Sequence, residues 1–197
     1  MDASSCTARV LSNLTLPIER WFKPVLIGIF GVPGVGKTEV ARYLSHRHPL
    51  LILSTDALRL QYGFESGLVT RQVMDLLAIQ LLPQRIGIVF DGIHLGQKDR
   101  RAVVQLAHAC QADALLLYVV AEPVVIEQRL QTRMEQPATV ASESKFVITP
   151  EHFGRIVSYL EPPTDDEAVI TVDTSQDCIA AQLDLIEQHL EQCLRAG

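Results

Sequence analysis

The stretch "VLIGIFGVPGVGKTEVARYL", residues 25 to 44, decides the fold. It opens on six apolar residues, the length and composition of a strand buried on both faces. A helix-period segment begins near Lys37 and is expected to run over about 37–47. Between the two sits "GVPGVGKT", Gly31 to Thr38, which satisfies G-x-x-x-x-G-K-[ST] at every fixed position. Glycines there let backbone N–H groups curl around phosphate oxygens, and the helix that follows points its positive end at them. Lys37 reaches the outer phosphates, and the Thr38 hydroxyl suits a Mg²⁺ ion. Gly31, Val32, Pro33, Gly34, Val35, Gly36, Lys37 and Thr38 are therefore expected to cradle a nucleoside triphosphate.

Outward from that stretch the pattern repeats. Further apolar runs are "LLILS" (50–54), "IGIVF" (86–90), "ALLLYVV" (114–120) and "AVITV" (168–172). Helix-period segments fall near 70–83, 98–111, 123–136, 150–160 and 176–195. In the last one, Ile179, Leu183, Ile186, Leu190 and Cys193 form a stripe that reads as a docking face. Five strands alternating with helices predict an α/β fold of three layers, a five-stranded parallel sheet with helices on both faces. Ligands of such sheets bind beyond the carboxyl ends of the strands.

The totals fit one soluble domain. The chain has 197 residues, 48% hydrophobic and 20% charged, with a net charge of −6. That sign disfavours a nucleic-acid backbone or an anionic membrane as the main partner. Cys6, Cys110, Cys178 and Cys193 are scattered without a CxxC pair, giving neither a zinc spacing nor a disulfide framework, so a cytoplasmic location is expected. The first residues lack the apolar core of a secretory signal, and "ALLLYVVAEPVVI" is too short and interrupted to span a bilayer. Residues 1–23 read as an N-terminal extension, packed by Trp21 and Phe22 onto a domain of residues 24–197.

Phosphate cradles serve many chemistries, so the remaining residues must choose. "DGIH" (91–94) puts His94 where a GTPase would need glycine, and no guanine-reading motif follows. The chain has no room for the sensor elements of an oligomeric motor. A phosphoryl-transfer enzyme needs a carboxylate to orient or deprotonate an acceptor hydroxyl. In "STDALR" (54–59) Asp56 follows the second strand and suits that task, and Arg59, one turn later, suits an anionic group on the acceptor. The competing reading makes Asp56 an N-cap for the turn "ALRLQ" and Arg59 a surface charge. Asp91, ending the third strand, reads as an acid that supports the metal with Thr38. His94 is a possible acceptor contact. Arg129 and Arg133 share a helix face and would close over the cradle as a lid, or else pair with Glu127 and Glu135 in solvent. The segment from Gln136 to Thr149 suits the edge of such a lid. Asp173, in "VDTS" (172–175), falls where an adenine ring would rest.

With these motifs in order, residues 25 to about 190 resemble a group of P-loop kinases, AAA_33-like, that includes 2-phosphoglycerate kinases, polynucleotide 5′-hydroxyl kinases, chloramphenicol phosphotransferases and zeta toxins. "STDALR" followed by "FDGIHL" looks most like the 2-phosphoglycerate kinase pattern, although that pattern usually has glutamate at the position of Asp91 and more arginines than the Arg71 of "LQYGFESGLVTRQ". The resemblance implies a P-loop NTPase fold with a short helical lid, ATP and Mg²⁺ as cofactors, and transfer of a γ-phosphoryl group to a hydroxyl of a small anionic metabolite. It implies general-base duty for Asp56, acceptor binding for Arg59 and charge neutralisation for Arg129 and Arg133. Two alternatives stand beside it: a polynucleotide 5′-kinase, for which Lys98, Arg100 and Arg101 offer a basic cluster, and a nucleotide-gated binding module with slow hydrolysis.

Overall fold

A computed structural model of the chain describes residues 2–64, 66–92, 95–135, 149–175 and 179–195. His94, Cys178 and nearly all of the expected lid edge, 136–148, lie outside the described residues. The elements run α1 (Ala3–Leu11), β1 (Val25–Phe30), α2 (Lys37–Arg47), β2 (Leu50–Ser54), α3 (Thr55–Tyr62), α4 (Gly67–Leu81), β3 (Gly87–Asp91), α5 (Gln97–Ala109), β4 (Asp113–Val120), α6 (Pro123–Glu135), α7 (Pro150–Ser158), β5 (Val169–Asp173) and α8 (Ile179–Arg195). The five strands form one parallel sheet in the order β2-β3-β1-β4-β5.

Alternation along the strands divides the core into two layers. Leu26, Phe30, Leu53, Ile88 and Phe90 face Val73, Met74, Leu77 and Val103 of α4 and α5. Val25, Ile27, Ile29, Val89 and Leu117 face Val40 and Leu44 of α2 and Leu183, Ile186 and Leu190 of α8. The expected stripe on the last helix is thus buried against the sheet. Central β1 and β3 are buried at every position, whereas edge strand β5 is mostly half-buried. A continuous apolar run is what two covered faces demand.

Two helices went unread in the sequence. Nine residues of α1 lie before the first strand, and Asp2 caps them by accepting a hydrogen bond from the Ser5 N–H at 2.9 Å. Cys6 and Val10 of α1 are buried in the α4 layer of the core. The stretch "TDALRLQY", whose "ALRLQ" the competing reading of Asp56 made a turn, is the two-turn helix α3. Trp21 packs as expected, fully buried, its N–H donating to Arg85 O and its indole Nε1 to Pro49 O. Gly87 makes room for that ring: a Cβ there would run into the indole. Phe22 does not share that burial: it stands 57% exposed, and its backbone N–H donates to Leu194 O at 3.3 Å.

The order 2-3-1-4-5 sets the location of the site. The chain leaves β1 toward β2 on one side and crosses from β3 to β4 on the other, so the carboxyl ends of β1 and β3 flank a switch point. A crevice opens there by topology alone.

Candidate active site

The cradle loop between β1 and α2 depends on backbone that only glycine supplies cheaply. Gly31 has φ +144, and a Cβ there would strike the Val119 carbonyl of β4. Gly36 has φ +94, serves as the N-cap of α2 and sits against Thr174 and Arg129. Pro33, Gly34, Gly36, Lys37 and Thr38 line the crevice. Val35 instead buries its side chain, and its carbonyl accepts from the Thr174 hydroxyl at 2.5 Å. Lys37 arches back so that Nζ donates to the Gly31 and Val32 carbonyls, both at 3.0 Å. Burial lowers its pKa to about 8; Asp91 and Asp56 oppose that shift and Arg133 adds to it. An anion entering the loop would favour the ammonium form and raise that pKa again.

Asp91 closes β3, where it is 5% exposed, and its Oδ2 accepts from the Thr38 hydroxyl at 2.8 Å. A hydroxyl and a carboxylate joined in this way are the hard oxygen ligands that a Mg²⁺ ion takes from protein, so these two residues fit that ion. Across the crevice, β2 runs directly into α3. Ser54, not Asp56, is the N-cap of α3, its Oγ accepting from the Ala57 N–H at 3.4 Å. The capping reading of Asp56 is therefore set aside, and its carboxyl lines the crevice with Ser54, Thr55 and Arg59. Burial raises the Asp56 pKa and Asp91 raises it further, while Lys37, Arg59 and Arg133 hold it back. Arg59 also donates from Nε to Phe64 O at 3.3 Å, which steadies its stem at the crevice wall.

The two arginines of α6 part company. Arg133 lines the crevice. Arg129 does not: Nη1 donates to the Thr174 hydroxyl at 2.8 Å and more loosely to Gly34 O, and Nη2 donates to Thr174 O at 2.8 Å. It braces the cradle loop against the loop after β5. Asp173 is engaged with its own loop and with α8. Its Oδ1 accepts from the Ser175 N–H, and its backbone exchanges two hydrogen bonds with the Gln182 amide. The carboxylate's lowered pKa follows from those Ser175 bonds. Asp173 shapes the turn after β5.

Sequence reading missed the far wall. His152 and Ile156, on α7, complete the crevice of about 170 Å³. The start signal was legible as "TPEH", and Thr149 does cap α7 by accepting from the His152 N–H. Nothing in that signal says which way the helix faces. The basic cluster also dissolves: Arg100 is fully buried against Glu167, and Arg101 pairs with Asp166.

The fold has well-matched relatives among solved structures. Kti12 of Chaetomium thermophilum, solved in complex with ADP-AlF3, superposes with a TM-score of 0.63 at 18% identity, covering 86% of this chain and 99% of that one. The structure of APE1195 gives 0.68 at 18% identity over 90% and 100% of the two chains. A gluconokinase from Sinorhizobium meliloti gives 0.57 at 17% identity over 85% and 96%. No curated protein matches the sequence. No helix among the described residues is long and apolar enough to cross a membrane. The model of the AAA_33 family, described as an AAA domain, matches residues 26–163, and the chain belongs to that family.

Proposed function

We propose that this chain is a kinase that uses ATP and Mg²⁺ to phosphorylate a hydroxyl of a small anionic metabolite, in the manner of a 2-phosphoglycerate kinase. ATP supplies the γ-phosphoryl group, and Mg²⁺ offsets its charge. Loop N–H groups and Lys37 would seat the phosphates, and Thr38 with Asp91 would hold the ion. Asp56 would orient the acceptor hydroxyl and take its proton. Arg59 grips the acceptor's anionic group, while Arg133 stabilises charge on the group in transfer. The observation that carries this reading is that Asp56 and Lys37 share one crevice closely enough for each to shift the other's pKa. Arg129 is assigned a bracing task in place of direct contact with the group in transfer, and Asp173 forms a turn whose backbone would rest beside the adenine ring.

The burial of Arg100 against Glu167 weighs against a polynucleotide acceptor, since it withdraws one of the cluster's three charges, and Asp166 beside Arg101 offsets another. The test is incubation with γ-labelled ATP, Mg²⁺ and a panel of phosphorylated hydroxy acids, sugars and a 5′-hydroxyl oligonucleotide. Label is expected on a small hydroxy-acid phosphate, with ATP consumed many-fold faster when that compound is present. Label only in inorganic phosphate, at an unchanged rate, would make the chain a slow nucleotide switch; label on the oligonucleotide would move it to end repair.

A further inference from the structure

At the rim of the sheet opposite the crevice, where β4 begins, three side chains of different chemistry converge. The Cys193 thiol donates to Asp113 Oδ2 at 3.1 Å, lies 3.5 Å from His189 Nε2, and that nitrogen lies 3.8 Å from the same carboxylate oxygen. His189 and Cys193 are four residues apart, so successive turns of α8 present both to the strand end. We propose that Asp113, His189 and Cys193 form a Zn²⁺ site with its fourth position open to solvent.

The geometry fits that ion. Zinc bonds of about 2.3 Å to sulfur, 2.0–2.1 Å to imidazole and 2.0–2.2 Å to carboxylate give donor-to-donor edges of roughly 3.3–3.6 Å in a tetrahedron. The observed edges straddle that range, so small side-chain shifts suffice. A thiolate, an imidazole and a carboxylate belong to zinc's ligand chemistry, whereas Mg²⁺ and Ca²⁺ prefer oxygen throughout. One thiolate and one carboxylate also cancel the ion's charge, as a half-buried site requires. Cys193 is 5% exposed, and the His189 side chain is 41% exposed, which leaves an open flank for water.

The surroundings hold the donors in place. Lys23 pairs with Asp113 Oδ1 and leaves Oδ2 for the metal, the kind of outer partner that fixes a ligating carboxylate. The Lys23 N–H donates to Cys193 O at 3.0 Å, tying the end of α8 to the chain entering β1. Zinc takes cysteine as a thiolate, so binding releases the Cys193 thiol proton to solvent. Helix α8 lies beyond the part of the chain that the family model matches, and the ion would clamp it to the sheet. Cysteine spacing could not reveal the site, because its third donor is Asp113 on another element.

The test uses the full reduced chain with Co²⁺ and then Zn²⁺ as probes. One Co²⁺ per chain should bind with a sulfur-to-cobalt charge-transfer band and the intensified visible bands of a tetrahedral ion, and Zn²⁺ should displace it. Cys193→Ser should abolish the charge-transfer band, and His189→Ala should weaken Zn²⁺ at least roughly tenfold. Absence of the band in the parent chain, or its persistence in Cys193→Ser, would overturn the site. Should Cys193→Ser fail to fold, His189→Ala decides alone, since its side chain lies partly at the surface: unchanged zinc affinity there refutes the proposal.

Discussion

Two clusters of buried charge, the Arg100 pocket and the crevice, handle that charge in opposite ways. Arg100 is fully buried, with two bonds of 2.7 Å to the two oxygens of Glu167 and with Nη1 donating to Leu95 O and Glu161 O. Its guanidinium also lies 4.7 Å above the Phe30 ring. Every charge there has an answering charge, and Glu167 is drawn down to about 2, first by its bonds to Arg100. In the crevice Lys37 and Asp56 are balanced less completely. Lys37 leans on two carbonyls and loses proton affinity, while Asp56 is buried and gains it. Charge that stabilises a fold is closed on itself; charge meant for a ligand is left partly unanswered.

Substitution separates the two most sharply at Asp56. Asp56→Asn should lower turnover by roughly 10²–10⁴ while calorimetry shows ATP binding nearly unchanged. Normal turnover in that variant would make the crevice as structural as the Arg100 pocket. The mirror image is Glu167→Gln, which strands a buried guanidinium and should cost roughly 3–5 kcal/mol in urea unfolding, with turnover of the folded fraction intact. The sign with pH follows from its depressed pKa. Glu167's stabilising contribution is whole above its unfolded value of 4.5 and is lost as pH falls through about 2.

The α6 pair gives a smaller and finer contrast. Arg133→Ala should reduce kcat by about 10²-fold with little change in Tm, as removal of a charge-stabilising donor does. Arg129→Ala should instead cost roughly 1–3 kcal/mol of stability, because the Thr174 carbonyl and hydroxyl lose a charged donor. Equal effects on kcat would restore both residues to the lid.

That contrast also marks how far the sequence could be read. The sheet, its helices and the cradle were legible because strand runs, helical stripes and G-x-x-x-x-G-K-T each encode local geometry. The crevice positions of Asp56, Asp91 and Thr38 were legible too, since residues at strand ends and at the starts of the helices that follow inherit their place from the topology. Arg129 and Arg133 were not separable: spacing of four puts both on one face, and only the packed position of Thr174 decides which of them is taken. Arg100 and Arg101 are neighbours in sequence and opposite in fate for the same reason. Helix α1 and the crevice wall at His152 depend on tertiary packing, which leaves little periodic trace in nine residues.

The crevice's unanswered charge should show itself in the pH dependence. In the free protein the Lys37 ammonium is lost above about 8, so kcat/KM for ATP should fall on the alkaline side near that value. Asp56 must be ionised to take a proton, and its pKa lies above the ordinary 3.8, so the acid limb should sit higher than an ordinary aspartate would place it. Bound phosphates favour the charged lysine, which moves the alkaline limb of kcat upward and leaves that of kcat/KM where it was. Lys37→Arg, whatever its residual rate, should lose the alkaline limb near 8 altogether, because a guanidinium keeps its proton there. A limb of the same position in both parameters, or one that survives the arginine, would mean that Lys37 is as fully answered as Arg100.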